Sequence, residues 1–307
     1  MSWLLWLACS GGPASDSQPE ADADTDTDAD SDTDADADSD TDSDSDTDTG
    51  PISYGWWGSI GDGDLNNPRG IAVTDSALFV ADTANSRVVE YSLDGDFVRA
   101  FGDEQLDAPK HLSVDAQGGL WVSDTATHRV HRYLDGAEDL ALGTGLSGPY
   151  AALRVGDEVF VTDYDNDRVV VFAAEQDGAQ LRSFGDGIEL DKPSGLLEVE
   201  GAIWVASTLG DQIRVYEDGV LGDTVGAGEL NDPHQMAHGA RGIWVADQFR
   251  YRVVELDPED GSVITELGSK GSGDAELDWP FGVGVGPDGR VYVADMKNGR
   301  VAVWARD

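Results

Sequence analysis

Asn66-Asn67-Pro68-Arg69-Gly70-Ile71-Ala72-Val73, followed by Phe79-Val80-Ala81-Asp82-Thr83-Ala84-Asn85-Ser86-Arg87-Val88, is the stretch that decides the fold. It reads as a short apolar run behind a proline, a second run ending in Asp, a polar loop, and a third run opening on Arg. Short β-branched and aromatic runs bounded by turn residues are strand signals. The same order returns behind Pro109, Pro149, Pro193, Pro233 and Pro280, so the anchoring prolines stand 40 to 47 residues apart. Second strands recur as Val159-Phe160-Val161-Thr162, Ile203-Trp204-Val205-Ala206, Ile243-Trp244-Val245-Ala246 and Val291-Tyr292-Val293-Ala294. Each period has room for four short strands, which is the arithmetic of a β-propeller blade. Asp94-Gly95, Asp135-Gly136, Asp177-Gly178 and Asp218-Gly219 supply the left-handed backbone that a tight hairpin needs.

The last unit stops after its third strand at Trp304, while Tyr54-Gly55-Trp56-Trp57-Gly58-Ser59-Ile60 stands before the first. This spare strand is expected to complete the sixth blade, closing the ring and covering a sheet edge. Trp121, Trp204 and Trp244 recur in second strands, where blades pack.

The repeat resembles the NHL family, whose units read Pro-x-Gly-Ile-Ala-Val and then Val-Ala-Asp-x-x-Asn-x-Arg-Val. The resemblance covers residues 51–307 and implies an all-β, six-bladed propeller of four-stranded antiparallel blades. It implies no single activity, because that family includes scaffolds, RNA binders, lyases and signalling domains.

Residues 1–50 differ in kind. An apolar run (Trp3, Leu4, Leu5, Trp6, Leu7) leads into Cys9, the only cysteine of the chain, so no intramolecular disulfide is possible. The run is far shorter than the roughly 20 apolar residues a spanning helix needs. Residues 1–9 read as an export signal, and Leu7-Ala8-Cys9-Ser10 resembles the lipobox of bacterial lipoproteins. Trp6 replaces the usual Leu, and no Lys or Arg precedes the run. Lipidation at Cys9 is the expectation; simple secretion, a start codon further upstream and a cysteine without a role remain open. Residues 10–50 carry aspartate at every even position from Asp22 to Asp48, a composition that stays extended and disordered as a spacer. The implied location is outside the cytoplasm, lipid-anchored at a bacterial outer membrane or cell surface.

The chain has a net charge of −42; residues 1–50 hold 16 carboxylates and no Lys or Arg, so 51–307 carry −42 + 16 = −26. Nucleic acid and anionic lipid would be repelled. Membrane contact is expected only through a lipid at Cys9, and the propeller is expected to be monomeric.

Asp82 and Arg87, Asp124 and Arg129, Asp163 and Arg168, Asp247 and Arg252, and Asp295 and Arg300 share a five-residue spacing in five of the six units. Five copies argue for architecture, with each carboxylate meeting its guanidinium or loop amides. In the fourth unit Ser207 and Gln212 replace both partners together. Candidate ligand residues are the unrepeated ones. Those following each proline form an inner ring that includes Arg69, Lys110, Tyr150, His234 and Phe281, with His111 one position further. Tyr164, Phe249, Arg250, Tyr251, Lys297 and His128 are expected on the surrounding rim. Such a face suits a protein, peptide or glycan partner. The alternative is a metal-dependent lyase or hydrolase in the channel, with His111, His234 and His128 around zinc. That ring contains no Asp or Glu to serve as general base. Asp163-Tyr164-Asp165-Asn166-Asp167 has the spacing of a calcium loop, but Arg168 stands where the loop glycine belongs.

Overall fold

The computed structural model describes residues 52–174 and 178–307. The signal-like segment 1–9 with Cys9, the spacer 10–50, and Asp177 of one Asp-Gly turn lie outside the described residues. Among the described residues the strands form six four-stranded antiparallel sheets, the blades of a propeller. Blade 1 runs from an inner strand (Pro68–Val73) through Ala77–Asp82 and Arg87–Ser92 to an outer strand (Phe97–Phe101). The inner strands of blades 2 to 6 are Pro109–Val114, Pro149–Val155, Pro193–Val199, Pro233–His238 and Pro280–Val285.

Tyr54–Ile60 is the outer strand of blade 6, paired antiparallel to Arg300–Arg306 from Tyr54↔Arg306 to Ile60↔Val301. The Trp56 and Trp304 rings meet edge to face at 5.4 Å, and Ser53 donates to the Asp307 carboxylate at 2.7 Å. The ring is closed by one sheet holding both ends of the domain, and the edge of Arg300–Arg306 is covered as the third strand is in every other blade.

The core lies between blades. Trp121 is fully buried against Val159, Val161 and Phe172 of blade 3. Trp204 packs with Met236 and Val245 of blade 5, and Trp244 with Val283 and Val293 of blade 6. Two of the tight hairpins have both residues left-handed, Asp135 and Gly136 with φ of 52° and 81° and Asp218 and Gly219 with 50° and 79°, whereas at Asp94-Gly95 only the glycine is, at 94°.

The repeated aspartates hold the loops. Arg87, Arg168 and Arg252 reach Asp82, Asp163 and Asp247 at 2.8 Å, and Arg300 reaches Asp295 at 2.9 Å. The fifth pair differs from expectation: Arg129 is exposed and makes no ion pair with Asp124. Asp124 is nevertheless fully buried, and it accepts from the amides of Asp107 (2.8 Å), Ala108 (2.9 Å) and Ala126 (3.3 Å). Loop amides are therefore the common partner and the guanidinium an addition. The equivalent amide is held in every other blade, at Asn66, Ser147, Asn231 and Asp278. In blade 4 Ser207 Oγ accepts it from Asp191 at 3.0 Å, so a neutral residue performs the same loop clamp.

Candidate functional site

Each inner strand opens on its proline, which pairs with the last residue of the second strand, as Pro68 does with Asp82. In all six blades the register then slips by one residue. A bulge re-aims the side chains that follow it, and the residues after Pro68, Pro149, Pro233 and Pro280 line one cleft. The second position serves packing. A Cβ on Gly70 would stand 2.6 Å from His111 Cα, on Gly195 2.1 Å from the His234 carbonyl, and on Gly282 2.2 Å from the Arg69 carbonyl. Glycine is needed there because adjacent inner strands touch backbone to backbone. Through the gap at Gly282 the buried Gln235 amide reaches blade 1, accepting from Ile71 N at 3.0 Å and donating to Ile71 O. Gln235 also lines the cavity between the inner strands.

Just after the prolines of blades 3, 5 and 6 the structure gathers an aromatic stack. His234 and Phe281 lie face to face with centroids 4.0 Å apart, and Tyr150 stacks on Tyr164 at 4.7 Å and on His234 at 5.9 Å. The Arg69 guanidinium sits 4.6 Å over Phe281 and donates to the Tyr150 hydroxyl at 3.3 Å. Phe249 and Trp279 continue the wall outward with centroids 6.1 Å apart. Together with Thr208, Leu209, Asp232 and Gln248 they bound a cleft of about 250 Å³ on the loop face.

Two breaks in the repeat build this cleft. The residue after the clamp aspartate is a threonine in blades 1 and 2, and Thr208 follows Ser207 in blade 4. Thr83, Thr125 and Thr208 each donate to the proline carbonyl of the next blade, Pro109, Pro149 and Pro233. Tyr164 and Gln248 replace that latch in blades 3 and 5 and line the cleft instead, while Met296 of blade 6 packs beneath it. The residue before the proline is left-handed in five blades, at Asn67, Gly148, Lys192, Asp232 and Trp279. Asn, Gly and Asp suit that conformation; Lys192 at φ 54° and a tryptophan at φ 62° do not. Strain of about 1–3 kcal/mol is thus held at the residue that forms the outer wall, with Lys297 Nζ 4.1 Å over its ring.

Burial shapes the local electrostatics. It raises the Tyr150 and Tyr164 phenols above their ordinary value, so both stay protonated donors at neutral pH. Burial, then the nearby Arg69 charge, brings the Lys110 ammonium down to about 8. His111 is driven down to about 4 by burial alone, and neither ring nitrogen has a protein partner.

Of the residues singled out in the sequence, Arg69, Tyr150, Tyr164, His234 and Phe281 meet in the cleft, and Phe249 joins them. Lys110 does not line the cleft; its strand runs beside that of Arg69, with the Lys110 carbonyl 2.8 Å from where a Cβ on Gly70 would stand. Arg250 turns away to the Gly228 carbonyl at 2.9 Å, and Tyr251 lies under Lys270. The proposed histidine centre does not assemble. His234 is clamped in the stack with Nε2 3.3 Å from Gln248 Oε1, whereas His111 lines a separate apolar cavity of about 300 Å³ with Leu112, Leu196 and Val283. His128 Nδ1 accepts from Gly148 N at 2.9 Å and so lacks a free lone pair there. The aspartates of 163–167 also diverge, with Asp163 on the Ser147 amide and Asp167 on the Lys192 amide. Among the described residues no three His, Cys, Asp or Glu side chains are grouped to hold a metal ion. The donor sets proposed for zinc and calcium therefore do not fit those ions.

Trp279, Leu209, Gln248 and Asp232 were not singled out by sequence. The signal available was departure from the repeat at two positions, before the proline and after the clamp aspartate.

No family model matches the chain. No curated protein sequence matches it either. Solved structures do. A virginiamycin B lyase from Staphylococcus aureus aligns with TM-score 0.59 and 16% identity over 83% of this chain and 99% of its own. A gluconolactonase from Xanthomonas campestris gives 0.60 and 18% over 83% and 100%. The WD40 β-propeller domain of Doa1 gives 0.62 and 13% over 83% and 98%. At these identities the likeness is one of fold: the chain is a β-propeller whose structural relatives include both enzymes and a WD40 domain.

Proposed function

We propose that this chain is a recognition protein built on NHL-like repeats, presenting the cleft on its loop face to a glycan, peptide or protein partner. In this reading a lipid on Cys9 holds it outside the cytoplasm, and the aspartate-rich 10–50 is the spacer. The observation that carries the proposal is Trp279. Its bulky ring is kept in a left-handed conformation that sister blades give to Asn67, Gly148, Lys192 and Asp232, and it stands in the wall of the cleft. Around it, Phe249 is 47% and Leu209 58% exposed, so apolar surface is kept in water at the cleft mouth. The metal-centred alternative draws no support from His111, His234 and His128, which occupy separate surroundings.

The test is a glycan and peptide array probed with the full chain and with Trp279→Asn, a variant that suits the left-handed backbone and so keeps the fold. Array ligands should bind the variant at least tenfold more weakly. An array without ligands, or ligands indifferent to the substitution, would remove the proposal. Expressed in a bacterium, the wild-type chain should fractionate with membranes and Cys9→Ser should not.

A further inference from the structure

Most buried cations of this chain meet carboxylates. Arg252 contacts Asp247 and Glu266, Arg132 contacts Asp115 and Asp139, and Arg300 contacts Asp295. Arg69 and Lys110, in the inner ring of neighbouring blades 1 and 2, do not. Both are partly buried. Among the described residues the Arg69 side chain has only the Tyr150 hydroxyl and the Phe281 face as partners, and its Nε is buried without one. Lys110 makes no hydrogen bond or ion pair among the described residues. The neighbouring Asp124 is already engaged by three loop amides. Half-buried charge left unpaired is costly, and two like charges side by side cost more. Burial and the Arg69 charge both hold the Lys110 ammonium below its ordinary value, and the two cations come from touching strands, the Lys110 carbonyl lying 2.8 Å from where a Cβ on Gly70 would stand.

An oxyanion would relieve both terms. Guanidinium offers a planar fork and ammonium a compact point charge, the two ways side chains hold carboxylate or phosphate. The rest of the cleft defines what the oxyanion is attached to. Its volume of about 250 Å³ lies below the roughly 300–1,000 Å³ of sites for drug-sized ligands, which suits a single ring. Tyr164 and Trp279 are part of its aromatic wall, and the buried Thr208, Gln248 and Asp232 add polar groups to its lining. Asp232, on blade 5, disfavours a second negative group at its end of the cleft.

We infer that Arg69 and Lys110 form an oxyanion subsite of the cleft, and that the ligand is an acidic sugar carrying one carboxylate or phosphate. This rests on the reading of the cleft as a binding site. Its test is calorimetric titration of the full chain, at fixed ionic strength, with glucuronate, glucose 6-phosphate and glucose. At least one charged sugar should bind tenfold or more tightly than glucose, and which one does so identifies carboxylate or phosphate. Arg69→Gln and Lys110→Gln should each bring that sugar to the level of glucose, with unchanged melting temperature, while Lys110→Arg should retain the preference. Equal binding of all three sugars, no binding of any, or a charge preference that survives both glutamine variants overturns the inference. If array ligands still depend on Trp279 in any of those cases, the cleft stands as a binding site and the oxyanion subsite alone falls.

Discussion

At the scale of single residues, the buried aspartates show that a repeated pair need not be a mutual dependence. Asp124 keeps its place without a guanidinium because three amide hydrogens reach it. Asp163 has both an amide and Arg168 at 2.8 Å. A double-mutant cycle should therefore give coupling of about 1–3 kcal/mol for Asp163 and Arg168, as for charge-assisted bonds to a buried acceptor, and near zero for Asp124 and Arg129. Equal coupling in the two cycles would contradict the amide-first account. His111 makes a second residue-level prediction. Its folded pKa of about 4 lies below the unfolded value near 6.5. The unfolded chain thus takes up the proton first, and stability falls as pH drops from about 6.5 toward 4. The loss amounts to about 3 kcal/mol at the lower end, and above 6.5 the ring contributes nothing. Asp247 and Asp295, raised by burial, act with opposite sign. The quantity to read is therefore the difference between wild type and His111→Leu in chemical denaturation, which should grow in favour of the variant on acidification and stay flat above pH 7.

At the scale of elements, the closing strand is where sequence and fold agree most fully. Tyr54–Ile60 pairs along Arg300–Arg306, and Trp56 and Tyr54 bury against Trp304 and Trp244 at centroid distances of 5.4 Å. Deleting residues 51–62 should expose the outer edge of blade 6 and leave Trp304 and Trp244 uncovered, lowering the melting temperature by ten degrees or more and producing oligomers in size exclusion. An unchanged, monodisperse variant would show that the seam is held by packing elsewhere. The strands were legible because each is a local apolar run between turn residues, and the ring because the run recurs six times. The cleft was legible only in part. Position after the proline pointed to Arg69, Tyr150, His234 and Phe281 because the bulge that aims them belongs to every blade. Trp279 and Gln248 depart from the repeat in sequence, but they gain their meaning from αL geometry and from a missing threonine latch, which show only when blades are compared in space. The histidine centre failed for a related reason: one position along a strand separates a side chain facing the loop-side cleft from one lining the deeper cavity, so His111 and His234 part company.

At the scale of the whole molecule, charge decides how the fold responds to its solvent. The propeller carries −26 of the chain's −42, and its ion pairs are of two kinds. Arg252 with Asp247 and Arg300 with Asp295 are largely buried, and salt screens such contacts little. Arg182 with Glu158 and Arg99 with Glu90 are exposed, and each is worth about 0–1 kcal/mol. Against them stands the repulsion among surplus carboxylates spread over the surface, acting over distances beyond the Debye length of about 10 Å at 0.1 M salt but well within the 30 Å at 0.01 M. Adding sodium chloride from about 10 to 300 mM therefore removes more repulsion than attraction. The melting temperature should rise across that range and then level off, with most of the gain below the concentration at which the screening length falls under the spacing of neighbouring carboxylates. A melting temperature that falls with salt would mean that the exposed ion pairs outweigh the surplus charge, and would reverse the order of importance assigned to them here.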